Sequence, residues 1–347
     1  MKIAVIGAGF FGCSIAIKIK EKFKKAHVHL FEKNSNILYS ASGKNQFRLH
    51  MGYHYPRSEK TIRECQESIF EFEKYYKNCF IKSENYYAIA RNNSKLNFKN
   101  YIDILEKNKL PYKIKKNKIF NYKNIESSII TDEKLINIFK IRKKTFNLIY
   151  KNNIDLRLNT KIKLSNDLLK NYDAIFLTTY DNNNNNLQNI TIKKEKYFYQ
   201  LVEKIIVTSP AIFNSFSGVI LDGPFMCLDP YYMKGYSILG NVRKSVIHEK
   251  IRVYNTLETN YTDKINKYLV TNQKSSNFNE IKKHFSNYFL NTVGMKYYGS
   301  FYVIRCTKKS SNDERLTNIK KNKNLFCIYS GKWINSFKTA EEILKLL

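Results

Sequence analysis

The first glycines of the chain have the spacing of a nucleotide-binding turn. The segment GAGFFG, with Gly7, Gly9 and Gly12, follows the apolar run KIAVI and precedes residues with helical periodicity. The first glycine permits a tight turn, the second lets the backbone approach a pyrophosphate, and the third lets helix and strand pack closely. The helix N-terminus adds free N–H donors and the positive end of the helix dipole. This pattern predicts binding of a dinucleotide.

An acidic residue about 20 positions later strengthens this prediction. Glu32 follows the second apolar strand, HVHLF, where its carboxylate can accept hydrogen bonds from a ribose diol and would disfavour a 2′-phosphate. An ordinary glycine turn between a strand and a helix remains the alternative. The motif alone does not distinguish NAD from FAD, although its position at the very start of the chain is usual for FAD in two-domain flavoenzymes.

The second segment that could do chemistry is ASGKNQFRLHMGYHYPRS, residues 41–58. Its mixture of glycine, proline, basic and aromatic residues suits neither a helix nor an alternating strand, so it predicts irregular chain laid along a ligand. His50 is a candidate general base, because imidazole titrates near neutral pH. Tyr53 could bond a substrate oxygen or simply pack. Arg48 and Arg57 are either anion contacts or solvated charges.

The elements that position these residues are predicted from hydrophobic periodicity. Strands are expected at 2–7, 27–33, 85–91, 172–179, 197–209, 217–223, 225–232, 236–242, 298–307 and 325–333, with a strand pair at 154–164. Helices are expected at 14–25, 58–77, 98–107, 132–152 (with Thr131 as N-cap) and 336–347, and the asparagine run at 182–186 is predicted to be a surface loop.

These elements predict an α/β fold with two domains. The first is a Rossmann-like nucleotide-binding domain assembled from residues 1–80, 131–182 and 320–347. The second is an inserted α+β substrate domain, residues 81–130 and 190–319, built on a large antiparallel sheet.

The composition limits the possible partners. The 347 residues carry a net charge of +31, which suits either a nucleic-acid or anionic-membrane surface or a biased base composition. The even spread of lysine and the run DNNNNN favour the second explanation. No run reaches the roughly 18 apolar residues of a membrane span. The six cysteines are scattered without a CxxC pair, which indicates free thiols in a reducing, cytoplasmic setting, and no cluster has the spacing of a metal site.

Together, the fingerprint, FEKN at 31–34 and SASGKNQFRLHMGYHYPRS at 40–58 resemble the D-amino-acid-oxidase superfamily of FAD-dependent oxidoreductases. Within it they are most similar to the L-2-hydroxyglutarate dehydrogenase branch. The resemblance implies FAD as the cofactor. The residues it implies for FAD binding are Gly7, Gly9, Phe10, Phe11, Gly12, Glu32, Lys33, Ser40, Ala41, Ser42, Asn45, Gln46, Thr178, Gly331, Lys332 and Trp333.

The resemblance also implies substrate contacts. His50 would point into the catalytic cavity with Tyr53 nearby, Arg305 would hold a substrate carboxylate, and RLT at 315–317 offers a second anchor. YSGKW at 329–333 would reach the pyrimidine edge of the flavin, although the family's second glycine after this turn is missing. Cys306 raises the alternative of covalently attached FAD.

The activity that follows is oxidation of a CH–OH or CH–NH group of a small 2-hydroxy or 2-amino acid, with hydride transfer to flavin N5. The substrate would be a small, anionic molecule, and the electron acceptor, oxygen or a carrier, stays open. Two alternatives remain. One is an FAD-dependent RNA-modifying or RNA-binding protein that uses the positive charge, for instance on tRNA, and the other is a flavin-binding protein without turnover.

Overall fold

The computed structural model describes residues 1–223, 225–308 and 310–347. Its strands, in chain order, are β1 (Lys2–Ile6), β2 (His27–Phe31), β3 (Arg48–Leu49), β4 (Phe80–Ile81), β5 (Glu84–Ala90), β6 (Tyr112–Ile114), β7 (Ile125–Thr131), β8 (Lys134–Ile136), β9 (Asp155–Arg157), β10 (Ala174–Leu177), β11 (Tyr197–Thr208), β12 (Phe216–Leu221), β13 (Met226–Pro230), β14 (Tyr236–Asn241), β15 (Val246–Arg252), β16 (Lys296–Thr307), β17 (Asn318–Asn322) and β18 (Leu325–Tyr329).

Ten α-helices are found among the described residues. They are α1 (Phe10–Lys22), α2 (Glu59–Tyr76), α3 (Phe98–Lys107), α4 (Ile138–Lys151), α5 (Asn166–Lys170), α6 (Asn183–Asn186), α7 (Leu257–Asn260), α8 (Thr262–Ile265), α9 (Phe278–Phe285) and α10 (Ser336–Leu344). In this part of the chain no helix is long and apolar enough to cross a membrane. The six cysteines are free thiols, as the sequence indicates.

One of the two main sheets has six strands, in the order β17-β18-β10-β1-β2-β9, and its strands come from both ends of the chain. All neighbouring pairs are parallel except β17–β18. Strand β1 lies inside this sheet, and its residues from Ile3 to Ile6 are buried. A parallel strand covered on both faces is apolar without alternation, which explains the run KIAVI. The Rossmann-like part of the predicted fold is confirmed.

Helix α1 is buried against this sheet. Every residue from Phe10 to Ile19 is buried, because α10 and α4 pack against α1, and α2 in turn packs on α10. The helix begins at Phe10, four residues earlier than predicted, since the glycine turn leads into it directly.

The other main sheet is large and mixed, in the order β15-β11-β14-β13-β12-β5-β7-β6, with β16 paired to β11. The twelve-residue strand β11 pairs with β16 along its length and with β15 and β14 on its other edge. All pairs are antiparallel except β12–β5. The prediction of a large, mainly antiparallel sheet is therefore confirmed.

A small sheet, β3-β8-β4, lies between these two. It corrects the predicted helix 132–152. Strand β7 runs to Thr131, β8 follows, and α4 begins only at Ile138, where the Asn137 side chain accepts a hydrogen bond from the Lys140 N–H. The apolar residues Leu135 and Ile136 fit a helical pattern, but pairing with β3 and β4 makes this segment a strand.

The asparagine run is not the predicted surface loop. Asn183 and Asn184 are buried in α6. The Asn183 side-chain amide donates to the Ile328 carbonyl at 2.7 Å, and that of Asn184 donates to the Val253 carbonyl at 2.7 Å. The amides satisfy backbone groups of neighbouring strands and loops. The predicted strand pair at 154–164 is also wrong, since only β9 forms there.

Candidate active site

A cavity of about 1340 Å³ lies between the six-stranded sheet and the large sheet. The carboxyl ends of the parallel strands line one side, with Ile6 ending β1, Phe31 ending β2 and Thr178 following β10. Side chains of β11 and β16 line the other side. Ligands of open α/β sheets bind at the carboxyl edge of the strands, so this is the expected place for a nucleotide.

The glycine turn at this edge is held in one conformation. Gly7 has φ +102°, which other residues rarely adopt. The Thr178 hydroxyl donates to the carbonyl oxygens of Ile6 at 2.9 Å and Gly7 at 2.8 Å. A Cβ at Gly12 would lie 1.8 Å from the Gly7 carbonyl oxygen. Gly12 therefore lies behind the turn, where it permits close packing, while Gly7 and Gly9 line the cavity.

The N-terminus of α1 opens onto the cavity through Gly9, Phe10 and Phe11. Within the described chain, the first turn of α1 contains no acidic residue and the Gly9 N-cap makes no side-chain bond. The Ser42 hydroxyl accepts a hydrogen bond from the Phe10 N–H at 3.2 Å. The remaining N–H groups and the helix dipole suit an anionic group such as a pyrophosphate.

Glu32 lies beside this turn. Its carboxylate accepts hydrogen bonds from the backbone N–H groups of Ala8 and Asn34, both at 2.9 Å, and it lines the cavity. The Asn34 side-chain amide donates a third bond at 2.6 Å. The three bonds fix the carboxylate at the end of β2, and Oε2, which accepts only one of them, can also accept a ligand hydroxyl. Lys33, which also lines the cavity, forms an ion pair with Glu258.

Two predicted amide contacts differ from each other. Ser40, Ala41, Ser42, Asn45 and Gln46 all line the cavity. The Asn45 side chain stabilises its own loop. Its amide nitrogen donates to the Ala41 and Ser42 carbonyls, and its amide oxygen accepts a hydrogen bond from the Phe47 N–H at 2.6 Å. Gln46 donates to the Ile238 carbonyl at 2.8 Å, and its buried Oε1 has no partner among the described residues. Gln46 Oε1 is thus an acceptor available to a ligand.

The turn after β18 closes the cavity over α1. Gly331, Lys332 and Trp333 line it. A Cβ at Gly331 would lie 1.9 Å from the Arg315 carbonyl oxygen, so glycine is required there. The Trp333 ring stacks on Phe10 with centroids 4.9 Å apart, which joins the C-terminal turn to the glycine turn.

His50, His54, Tyr55 and Lys332 form one cluster in the cavity wall. The Tyr55 ring centre lies 5.4 Å from the His50 ring, 5.3 Å from the His54 ring and 4.4 Å from Lys332 Nζ. Burial, and then the charge of Lys332, lower the pKa of both histidines well below the usual range. Burial lowers the pKa of Lys332 to about 7. Near neutral pH both histidines are therefore neutral, while Lys332 is divided between its neutral and charged forms.

Arg48 is neither an anion contact nor a solvated charge, contrary to both expectations. Its side chain is 1% exposed and pairs with Glu133 at 3.0 Å and Asp229 at 2.7 Å. It also donates to the Ser217 hydroxyl. His50 Nδ1 lies 3.7 Å from Glu133 Oε1, too far for a hydrogen bond. Arg48 thus holds together the polar group behind His50.

Arg305 lines the cavity and has only a neutral partner among the described residues. Its Nε and Nη2 atoms donate to Gln200 Oε1 at 2.8 and 2.5 Å. Burial, and then the neighbouring Arg315, lower the pKa of Arg305. Arg315 and Lys204 line the same cavity, and burial lowers their pKa values as well. Among the described residues Arg305 and Lys204 lack a carboxylate partner, whereas Arg315 lies 3.8 Å from Asp313.

Tyr53 is not part of this site, which corrects the expectation of a substrate contact. It is fully buried, its ring stacks on Tyr87, and its hydroxyl donates to the Pro111 carbonyl at 2.6 Å. Cys306 is also turned away. Arg305 faces the cavity from β16, and the next side chain of a strand points to the opposite face, where Cys306 is buried in the core.

Lys204 is the residue that sequence reasoning missed. Gln200, Val202 and Lys204 alternate along β11 and all line the cavity. The sequence signal was present, since Gln200 and Lys204 lie four residues apart, and thus on one face, in a mainly apolar strand. Asp222 also lines the cavity, where it pairs with Arg57 at 2.7 Å.

Comparison with known sequences agrees with this geometry. The family model for FAD-dependent oxidoreductases of the DAO type matches residues 2–121. This match covers the glycine turn, Glu32 and the segment after β2, and it agrees with the resemblance of these residues to the D-amino-acid-oxidase superfamily. Across its length it is similar to the FAD-dependent monooxygenase FPY4 of Fusarium mangiferae, with 24% identity over 99% of this chain and 90% of that protein.

Solved structures share the fold of this chain. Glycine oxidase from Geobacillus kaustophilus has a TM-score of 0.72 at 9% identity, covering 99% of this chain and 93% of that one. L-proline dehydrogenase from P. horikoshii has a TM-score of 0.72 at 14% identity, covering 99% and 92%. The family match and the sequence relative, rather than these structures, indicate an FAD-dependent enzyme of the oxidoreductase class. The narrower resemblance to the L-2-hydroxyglutarate dehydrogenase branch is not confirmed by these comparisons.

Proposed function

We propose that this oxidoreductase oxidises a CH–OH or CH–NH group of a small acid whose carboxylate binds Arg305. The observation that carries the proposal is the environment of that side chain. Arg305 is held in the cavity by the neutral oxygen of Gln200, and it has no carboxylate partner among the described residues. A cation that has lost most of its water and lacks a counter-ion favours an anionic ligand.

FAD would extend from the glycine turn to the C-terminal turn. The N-terminus of α1 would hold the pyrophosphate, Glu32 the adenosine ribose, and Gln46 Oε1 a donor of the isoalloxazine ring. The other residues proposed to line this path are Ser40, Ala41, Ser42, Asn45, Thr178, Gly331, Lys332 and Trp333. When bound, FAD supplies the acceptor for the two electrons and the hydrogen of the substrate C–H bond.

The substrate would occupy the part of the cavity between the cationic wall and the histidine cluster. Arg305 offers a planar fork that matches a carboxylate, with Lys204 and Arg315 adding positive potential. Oxidation of an alcohol also requires an acceptor for the hydroxyl proton. His50, His54 and Lys332 all lie in the cavity wall and could take it.

Anaerobic bleaching of the bound flavin tests this proposal. The purified holoprotein is mixed with glycolate, lactate, 2-hydroxyglutarate, glycine, alanine and proline, each beside its methyl ester, and the flavin absorbance is followed. We expect at least one acid to bleach the flavin, and its ester, which lacks the carboxylate charge, to bleach it at least tenfold more slowly. Bleaching by esters and acids alike would contradict binding through Arg305.

Oxygen insertion is the second candidate, because the relative that matches almost the whole chain is named a monooxygenase. The two activities differ in their need for oxygen. A dehydrogenation converts one equivalent of substrate without air, whereas a monooxygenation gives product only with oxygen and transfers one of its atoms. Single turnover under ¹⁸O₂ with mass analysis of the product separates them. No match reported above is named as an RNA-modifying or RNA-binding protein.

A further inference from the structure

Lys332 lies in the cavity wall without a structural role that would require a lysine. It follows the glycine of the turn after β18, and its Nζ atom lies 4.4 Å from the Tyr55 ring centre inside the cavity. Throughout the described chain no carboxylate pairs with this amine and no group hydrogen-bonds to it. Its backbone, with φ −126° and ψ 141°, is extended, so the turn itself does not require lysine.

The imidazoles of His50 and His54 share a cluster with the amine, and their pKa values are lowered so far that both rings are neutral. Lys204, Arg305 and Arg315 line the same cavity from β11, from β16 and from the loop before β17. The nearby carboxylates of Asp222 and Asp313 pair with Arg57, and that of Glu133 pairs with Arg48 behind His50. Burial disfavours the charged form of the Lys332 amine and lowers its pKa to about 7, so that a large fraction of the amine is neutral near neutral pH.

We propose that the Lys332 amine, and not His50, accepts the substrate proton during oxidation. The inference rests on the proposed function. With an alcohol, the O–H bond breaks and its proton bonds to the Nζ lone pair, while the C–H bond gives its electron pair and hydrogen to FAD and a carbonyl forms. With an amino acid, the same amine removes a proton from the substrate ammonium group, which frees the nitrogen lone pair. The resulting lysine ammonium returns its proton to water.

His50 is the weaker candidate for two reasons. Among the described residues neither of its ring nitrogens makes a hydrogen bond, so no partner sets the tautomer, as one does for a general base in a triad. The oxygens of Glu133 are already taken by Arg48, the Tyr87 hydroxyl and the Met51 N–H. Proton transfer is also most efficient when the acceptor titrates near the working pH, which favours the lysine over the histidine. His50 would then position the substrate.

The first test compares Lys332→Met and Lys332→Arg in the FAD-loaded protein. The probe is the acid that bleaches the wild-type flavin fastest in the panel above, and the measurement is the rate of anaerobic flavin reduction at saturating acid between pH 5 and 10. The wild-type rate should rise with pH through about 7 and then level off, because only the neutral amine accepts a proton. Both variants should lose the rise and react about 10²–10⁴-fold more slowly. Added ethylamine should partly restore Lys332→Met.

Lys332→Arg separates proton transfer from simple charge, since arginine stays protonated and therefore carries a positive charge but cannot accept a proton. Lys204→Met is the matched control in the same cavity. It should weaken binding of the acid while keeping the rise near pH 7. His50→Asn should do the same. If Lys332→Arg keeps the wild-type rate, or if His50→Asn removes the rise, the inference is wrong.

A second measurement needs no substrate. Pulse acetylation of the apoprotein with acetic anhydride, followed by peptide mass analysis, gives the pH dependence of labelling at each lysine. Labelling of Lys332 should reach half of its maximum near pH 7, whereas ordinary lysines reach half-maximal labelling near pH 10.4, about their usual pKa. Labelling only at high pH would overturn the inference. If no acid in the panel reduces the wild-type flavin, the proposed function fails and the proton-transfer role fails with it. If an acid reduces the wild-type flavin and Lys332→Met reacts equally fast, only the inference about Lys332 fails.

Discussion

Arg48 Nη2 and Asp229 Oδ1 lie 2.7 Å apart, and this ion pair joins the small three-stranded sheet to the large sheet. Both side chains are 1% exposed, and Glu133 pairs with the same guanidinium. We expect Arg48→Met to leave two carboxylates buried without a cation and to lower the free energy of unfolding by about 3–5 kcal/mol. Urea unfolding followed by circular dichroism measures this change.

The control for this prediction is Arg63→Met. Arg63 also forms an ion pair, with Glu59, but its side chain is 69% exposed. An exposed pair of this kind contributes about 0.3–0.5 kcal/mol. Equal effects of the two substitutions would contradict the structural role of Arg48.

Gly12→Ala should disturb both the fold and cofactor binding. The added Cβ would meet the Gly7 carbonyl oxygen at 1.8 Å, so α1 must move away from β1 at a cost of about 1–3 kcal/mol or more. The glycine turn moves with it, and we expect the affinity for FAD to fall at least tenfold. Thermal unfolding and titration of the apoprotein with FAD measure the two effects.

Gly9→Ala provides the comparison within the same turn. Its Cβ would approach only the Ser42 hydroxyl, at 3.1 Å, and would face the cavity. We therefore expect weaker FAD binding with little change in the melting temperature of the apoprotein. A Gly12→Ala protein that binds FAD as tightly as the wild type would show that this turn does not hold the pyrophosphate.

Arg305→Met should reduce affinity for the substrate acid much more than it changes the flavin. Loss of a charge-assisted hydrogen bond costs about 1.5–3 kcal/mol, which corresponds to roughly a 10–150-fold rise in the dissociation constant of the acid. The flavin spectrum should stay as in the wild type, because the proposed FAD path does not include Arg305. Rapid-mixing titration of the flavin with the acid gives both the dissociation constant and the flavin spectrum. An unchanged dissociation constant would exclude binding of the substrate carboxylate by Arg305.

Tyr53→Phe should leave the chemistry intact. Because the Tyr53 hydroxyl donates to the Pro111 carbonyl inside the core, its removal should cost about 1 kcal/mol of stability without affecting flavin reduction. The melting temperature and the rate of anaerobic bleaching test this. A large loss of the bleaching rate with an unchanged melting temperature would show that the Tyr53 hydroxyl contacts the substrate.

The nucleotide-binding half was predictable because its signals are local. The glycine spacing, the apolar strand before it and Glu32 after it all lie within about 30 residues of one another, and each has a direct steric or hydrogen-bonding reason. The same holds for the long strand β11 and the helices at 58–77 and 98–107, where periodicity and capping residues agree. Where two patterns fitted, as at Leu135 and Ile136, pairing with distant strands decided the outcome.

The substrate half depended on contacts that the order of residues does not reveal. Sequence alone determined that the chain carries a dinucleotide turn and an irregular polar segment after it, since those properties follow from residue type and spacing. Only the tertiary structure decided that Tyr53 turns into the core, that Arg48 meets Asp229, and that Lys332 reaches the Tyr55 ring. These pairs are far apart along the chain, or lie in irregular backbone without a period. Which face such a side chain takes is therefore set by the packing of the two sheets around the cavity.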